Sequence, residues 1–274
     1  MMKTLLLKIA LVVLILYIPS NSFGQEFQGK AVYLQKTKMR LGNWGARMSE
    51  AQKNQIKARL KNRLEKTYIL TFNKQESTFL EDEKIDAISG ATDSWGAYFS
   101  RGDMYRNTKE NTITQSQEFY GKRFLIKDQD YKIDWTLGSE TKQIGNYTVY
   151  KAMAIVKTED IAWYNFSWSD LRPAKKDENG KEIIKTTTIE AWYTPQIPVT
   201  HGPGEFWGLP GLILEVSAGD TVMLCSEVSI NSGENIKIKA PDKGEEITKE
   251  AYASTIKNKM MEMRNNRMGR RRSR

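Results

Sequence analysis

The run Phe206-Trp207-Gly208-Leu209-Pro210-Gly211-Leu212-Ile213-Leu214-Glu215-Val216 obliges the chain to turn sharply and then run straight. Pro210 fixes its own φ and pushes Leu209 toward extended geometry, while Gly211 is free to take the positive φ required at position i+2 of a type II turn. A strand that begins at so fixed a point has a defined register. Leu212, Leu214 and Val216 then fall on one face and Ile213 and Glu215 on the other, which marks a mostly buried strand. Gly208, Leu209, Pro210 and Gly211 read as a structural turn that locks a core strand, with a ligand-contacting loop as the alternative.

Similar short segments fill most of the chain. Alternation or β-rich composition predicts strands at Gly29 to Gln35, Tyr68 to Asn73, Glu76 to Leu80, Ala97 to Ser100, Thr112 to Phe119, Arg123 to Ile126, Thr148 to Val156, Thr186 to Tyr193, Leu212 to Val216, Thr221 to Val228 and Asn235 to Ile238. Asn179-Gly180 suits a type I′ hairpin. Two helices interrupt the strands. Ser49 and Gln52 form a capping-box pattern ahead of a narrow stripe, Ile56, Leu60 and Leu64. From about Thr248, Tyr252, Ile256, Met260 and Met263 share a helical face, after which Asn265 to Arg274 turns polar and basic and is expected to be irregular. The sum is a mainly β (α+β) fold: one antiparallel curved sheet or half-barrel with an N-terminal and a C-terminal helix packed on it.

The beginning of the chain bears on location. Lys3 and Lys8 precede the apolar run Ile9 to Ile18, and small residues Ser22 and Gly24 stand where a signal peptidase reads, so residues 1–24 are expected to be a signal peptide cleaved before Gln25. The sole cysteine, Cys225, is far from that junction, so the expected product is periplasmic or secreted and not a lipoprotein. Residues 25–256 form one β-rich domain and 257–274 a basic end. The net charge is +9; the leader lysines carry two of these charges, and residues 257–274 carry eight cations against Glu262. The domain between is about neutral. That balance excludes a globally basic nucleic-acid binder and leaves weak contact of the basic end with an acidic partner or anionic surface.

Little points to catalysis. One histidine, His201, allows no multi-histidine metal site, and no Gly-x-Ser-x-Gly elbow or phosphate loop accompanies it; it reads as a loop residue. Cys225 reads as a small buried hydrophobe. No catalytic residue, metal ligand or cofactor is assigned. Carboxylates beside aromatic residues, Asp134, Glu190, Glu205 and Glu215, keep a hydrolase of glycans or peptides open as an alternative. The aromatic residues say more. Trp163, Tyr164, Phe166 and Trp168 crowd one short segment, and Trp192, Tyr193, Phe206 and Trp207 flank the turn. They are either core or a surface for a ligand or partner.

The turn word, together with Ala191 to Pro195, Ile197-Pro198-Val199 and Gly202-Pro203, resembles the signature of the GLPGLI family of bacterial envelope proteins. Met48 to Asn73, Phe119 to Ile126 and Thr141 to Tyr147 are similar to that family's pattern too, so the resemblance covers most of the expected mature chain. Val149 stands where a cysteine often follows in the pattern, so any disulfide used there is absent. The resemblance implies an exported envelope protein with a half-barrel like that of lipoprotein carriers, binding an apolar ligand or an outer-membrane partner, accessory to an outer-membrane transporter. It implies no settled activity. A purely structural envelope protein is the third reading.

Overall fold

The computed structural model describes residues 27–39, 41, 45–82, 101–173, 176–233 and 237–272. The expected leader and the strand anticipated at 97–100 lie outside them. Twelve strands form one sheet. They are β1 (Gln28–Thr37), β2 (Glu65–Asn73), β3 (Glu76–Glu81), β4 (Met104–Asn107), β5 (Thr112–Phe119), β6 (Lys122–Gln129), β7 (Thr136–Ile144), β8 (Tyr147–Lys157), β9 (Thr186–Thr194), β10 (Leu212–Ala218), β11 (Thr221–Ile230) and β12 (Glu245–Ile247). Their order across the sheet is β12-β6-β5-β4-β3-β2-β1-β11-β10-β9-β8-β7. Every pairing is antiparallel except that of β12, which runs parallel to β6.

This order dictates a curved sheet. The chain walks from the central β1 out to β6, reappears at the opposite edge as β7, and walks back through β11 to close on β1. Residues 130–135 are all that separates β6 from β7. Extended, that link reaches about 25 Å, whereas ten strand spacings in a flat sheet amount to roughly 48 Å. The sheet therefore curls until its two ends approach. Register shifts assist: β1 slips against β11 at Val32/Tyr33, β10 against β9 at Ile213/Glu215, and β7 against β8 at Leu137/Thr141. Each such bulge increases local twist.

The buried face follows from the pairing. Ala31, Leu70, Phe79 and Met104 stand opposite one another across β1 to β4 and are all buried, as are Ala154 with Ile189 and Ala152 with Ala191 across β8 and β9. Tyr33 joins them fully buried, its hydroxyl donating to the Ile213 carbonyl at 2.6 Å. A second apolar cluster sits apart, where Phe119, Phe124 and Ile126 meet Trp163, Tyr252, Ile256 and Met260.

Helix α1 (Glu50–Arg59) begins at the expected capping box, Ser49 Oγ accepting from Gln52 N–H and Gln52 Oε1 from Ser49 N–H. It buries none of its residues. The stripe Ile56, Leu60 and Leu64 is only half-buried, and the contact with β1 and β2 is made by the short α2 (Lys61–Leu64), so the N-terminal helix packs far less than its pattern suggested. A third helix, α3 (Thr158–Ile161), follows β8, and a 3-10 turn spans Trp168–Leu171. Helix α4 (Lys249–Arg272) lies against β6 with Tyr252, Ile256 and Met260 buried. It continues through the stretch expected to be irregular, because a single interior glycine, Gly269, weakens a helix without ending it. Among the described residues no helix is long and apolar enough to cross a membrane.

Three other expectations change. Strands β4, β7 and β12 were not anticipated, while residues 237–238 form no strand. The Asn179-Gly180 turn is not type I′: only Gly180 has positive φ. The Asp177 carboxylate instead accepts from the Asn179 and Lys181 N–H groups, closing a longer loop between the bridged residues Lys176 and Glu182.

Candidate functional site

The turn word is tied to the loop before it, Gly208 N–H donating to the Thr200 carbonyl at 2.8 Å and Leu212 N–H to the Ile197 carbonyl at 3.1 Å. Gly211 N–H donates to the Leu209 carbonyl at 2.8 Å, so the chain reverses tightly about Pro210 rather than through the expected type II turn. A Cβ on Gly211 would stand 2.2 Å from the Thr194 carbonyl oxygen. Glycine is needed because β10 starts hard against the end of β9. The expected alternation also fails, since Leu214 is the extra residue of the bulge, and Leu212, Ile213, Leu214 and Val216 are all buried.

Residues 199–207 carry the most unusual electrostatics. Arg101 donates from Nε (3.1 Å) and Nη2 (2.5 Å) to the two Glu205 carboxylate oxygens, and both residues are buried. The guanidinium carbon lies 5.6 Å from the Tyr68 ring centre and 5.5 Å from those of Phe79 and Tyr164. Burial alone would lower the Arg101 pKa, but the Glu205 carboxylate outweighs it and holds the group above its ordinary value. Gly204, at φ +59, leaves the room: a Cβ there would meet the guanidinium carbon at 2.8 Å.

A second buried arginine, Arg106 on β4, donates from Nε to Asp130 at the head of the β6–β7 link and lies 5.4 Å from the Trp207 ring centre. Trp207 Nε1 donates to the Tyr131 carbonyl (3.0 Å), and Trp135 Nε1 donates to the Trp207 carbonyl (2.8 Å). Two indoles thus stitch the link to the turn word. His201 lies in the predicted loop and is fully buried, its Nε2 3.0 Å from the Asn73 carbonyl. Burial, aided by the nearby Arg106 charge, pushes its pKa down to about 3.

The aromatic residues singled out in the sequence divide among three places. Trp163 and Phe166 pack against Tyr252 of α4, while Tyr164 turns toward Arg101 and Trp168 is exposed on the 3-10 turn. Phe206 and Trp207, which open the turn word, are both buried. Trp192 and Tyr193 point to opposite faces; Tyr193 meets Tyr150, with ring centres 6.1 Å apart. Trp192 is only 8% exposed because lysines cover it, Lys142 Nζ at 4.3 Å and Lys151 Nζ at 5.7 Å from its ring centre.

Those lysines also engage the candidate carboxylates. Lys142 bonds Glu215 (2.6 Å), Lys151 reaches Glu140 (3.1 Å) and Glu190 (3.3 Å), and Trp192 Nε1 donates to Glu190 (3.0 Å). Partial burial works to raise the Glu190 carboxyl, yet the Trp192 and Lys151 hydrogen bonds hold it below its usual range. Cys225 is buried, and burial pushes its thiol up to about 12. Among the described residues no three His, Cys, Asp or Glu side chains gather in a way that could hold a metal ion. The partners Arg101, Arg106, Lys142 and Lys151 had no local sequence signal; each is one cation among many until the strands bring it to its acid.

The exposed apolar side chains are unevenly placed. At the β7 and β8 end, Leu137 is 55%, Met153 41% and Ile155 73% exposed, and Tyr150 is exposed nearby; among the described residues β7 has no strand partner beyond it in the sheet.

Fold and site define a mainly β protein, one curved sheet whose buried charges are paired and caged by aromatic rings. Residues 135–215, which run from Trp135 through β7 to β10 and end at Glu215, match the family described as "Protein of unknown function (Porph_ging)". No curated protein matches the chain. Among solved structures it is similar to PNGF-II in a C2 crystal form, with 18% identity and a TM-score of 0.46, covering 84% of this chain and 32% of that one. The same protein in a P21 form gives 18% identity and a TM-score of 0.46, covering 83% and 32%. The chain thus spans about a third of the length of those structures.

Proposed function

We propose that this chain is an exported, non-enzymatic envelope protein of the GLPGLI family that docks a partner at the outer membrane, accessory to a transporter there, through the β7–β8 end of its sheet. The observation that carries this reading is where the apolar surface lies. Of the exposed large hydrophobic residues among those described, Leu137, Tyr150, Met153, Ile155, Trp168, Ile183 and Ile184 fall within the family-matched residues 135–215, against Leu34, Leu80, Tyr120 and Leu224 elsewhere. Apolar side chains left in water at a free sheet edge suit a protein surface. The pairing of Glu190, Glu205 and Glu215 with lysine or arginine speaks for binding over carboxylate hydrolysis. The basic residues of 257–274 add a weak contact with an anionic surface.

The test is a photo-crosslinking amino acid placed at Ile155 in cells, with Lys109, also exposed, as the control position. An adduct to an outer-membrane protein from Ile155 and not from Lys109 is expected, in an envelope fraction. Equal adducts from both, no adduct at all, or recovery of the protein from the cytoplasm would overturn the proposal. A second reading, binding of an apolar ligand, is favoured by two buried donors, Tyr252 on α4 and Trp163 facing it.

A further inference from the structure

The seam between α4 and residues 162–167 holds two buried donors, Tyr252 Oη and Trp163 Nε1, that meet no acceptor among the described residues. Tyr252 is fully buried and Trp163 is 8% exposed, and their rings meet edge to face at 5.8 Å. Neither Tyr252 Oη nor Trp163 Nε1 has a hydrogen-bond partner among the described residues. An indole N–H can only donate, and the phenol proton likewise requires an acceptor. Protein cores rarely leave buried donors on two touching rings without a protein acceptor, since burial costs each donor its exposure to solvent. The same helix repeats the pattern farther along, where Arg264 Nε is buried without a partner and only its Nη1 reaches the Leu171 carbonyl at 3.5 Å.

The rest of the seam is apolar, lined by Phe124, Ile126, Ile256 and Met260. The nearby charges already answer one another: Lys249 Nζ is 3.8 Å from Asp130, and the Lys249 N–H donates to Asp128 at 2.9 Å. Lys249, the cation at the start of the helix, is thus already engaged by acids, which favours a neutral ligand over an anion. Residues 162–167 belong to no strand, so displacing them breaks no sheet ladder.

We propose that this seam is a binding site for a small apolar molecule carrying one neutral hydrogen-bond acceptor, such as a carbonyl, which accepts hydrogen bonds from the Tyr252 hydroxyl and the Trp163 indole N–H while its hydrocarbon part lies against the aromatic and aliphatic lining. Burial keeps the Tyr252 phenol protonated, and so a donor, throughout the ordinary pH range. The proposal deepens the ligand-binding reading alone; docking at β7–β8 stands or falls separately on the crosslinking result.

Acetophenone and ethylbenzene, similar in size and differing in the carbonyl, are the probes, and the full-length protein labelled at indole nitrogen is the sample. Acetophenone is expected to move the Trp163 indole proton downfield saturably, and ethylbenzene to leave it in place. The variant Tyr252→Phe removes an unpaired donor without changing the packing, so it is expected to raise the melting temperature of the free protein and weaken acetophenone about tenfold. Trp163→Phe is the second variant, read by melting temperature and by the Tyr164 and Phe166 ring resonances. An indole proton unmoved by acetophenone, an equal response to both probes, or a lower melting temperature for free Tyr252→Phe overturns the proposal.

Discussion

Arg101 and Glu205 form a two-point ion pair, Nε to Oε1 at 3.1 Å and Nη2 to Oε2 at 2.5 Å, inside a cage made by Tyr68, Phe79 and Tyr164. The pair joins the residue that leads into β4 to the turn word ahead of β10. Removing one partner strands the other charge in a buried site. Glu205→Gln is therefore expected to destabilise the protein by about 3–5 kcal/mol. The double variant Arg101→Met/Glu205→Leu should recover a good part of that loss. Chemical denaturation checks both, and an additive double variant would show that the two residues act independently.

Gly211 tests the turn word itself. Alanine there sets its Cβ against the Thr194 carbonyl and the Pro195 nitrogen, 2.2 Å and 2.8 Å away, and these are backbone atoms that cannot swing aside. Gly211→Ala should cost more than about 1 kcal/mol, with the loss felt first in the β9–β10 pairing. Gly180→Ala is the control: it also has positive φ, but its Cβ would meet nothing within 4 Å, so only the conformational cost remains. Equal losses for the two would contradict the close-approach argument.

His201 gives the protein a pH dependence whose sign is fixed. Its pKa is near 6.5 unfolded and pushed down to about 3 when folded, so between those values the unfolded chain binds the extra proton. The contribution is whole above about pH 6.5 and is lost progressively as pH falls toward 3. Between pH 7 and pH 5 the loss should be about 2 kcal/mol. In His201→Gln, whose amide can still donate to the Asn73 carbonyl, that part of the dependence should vanish. Denaturation midpoints at several pH values measure it, and identical profiles for the two proteins would refute it.

Lys142 pins the free edge. It reaches from β7 over Trp192 to Glu215, at 4.3 Å from the ring centre and 2.6 Å from the carboxylate. Because Lys142 and Glu215 are partly exposed, Lys142→Met should cost no more than about 1 kcal/mol globally. The local effect should be larger. Hydrogen exchange at residues 141–144 is expected to quicken while β1 and β2 stay protected. Unchanged exchange along β7 would remove the pinning role.

Much of the fold was legible because its signals are local. Alternation located β2, β5, β8, β9 and β11 to within a few residues, and Ser49 with Gln52 marked the start of α1. β4 escaped because its four residues include buried Arg106, which reads as polar until Asp130 and Trp207 receive it. β7 escaped because an edge strand exposed along nearly all its length has no buried face to pattern. In the candidate site, the tryptophans were visible and their fates were not: Trp192 read as either core or binding surface, and two lysines from β7 and β8 cover it.

The sequence by itself determined the class of fold, the export expectation, the shortage of catalytic groups and the sharp turn ahead of β10, since each depends on residues adjacent in the chain or on composition. Only the tertiary structure decided that β7 forms the far edge, that six residues carry the chain there by curling the sheet, and which charges meet. Arg101 and Glu205 are 104 positions apart, and Lys142 and Glu215 are 73 apart. No local pattern encodes such pairs; they arise because burying the apolar face fixes every strand's register, and the charges on those strands must then find partners where the register leaves them.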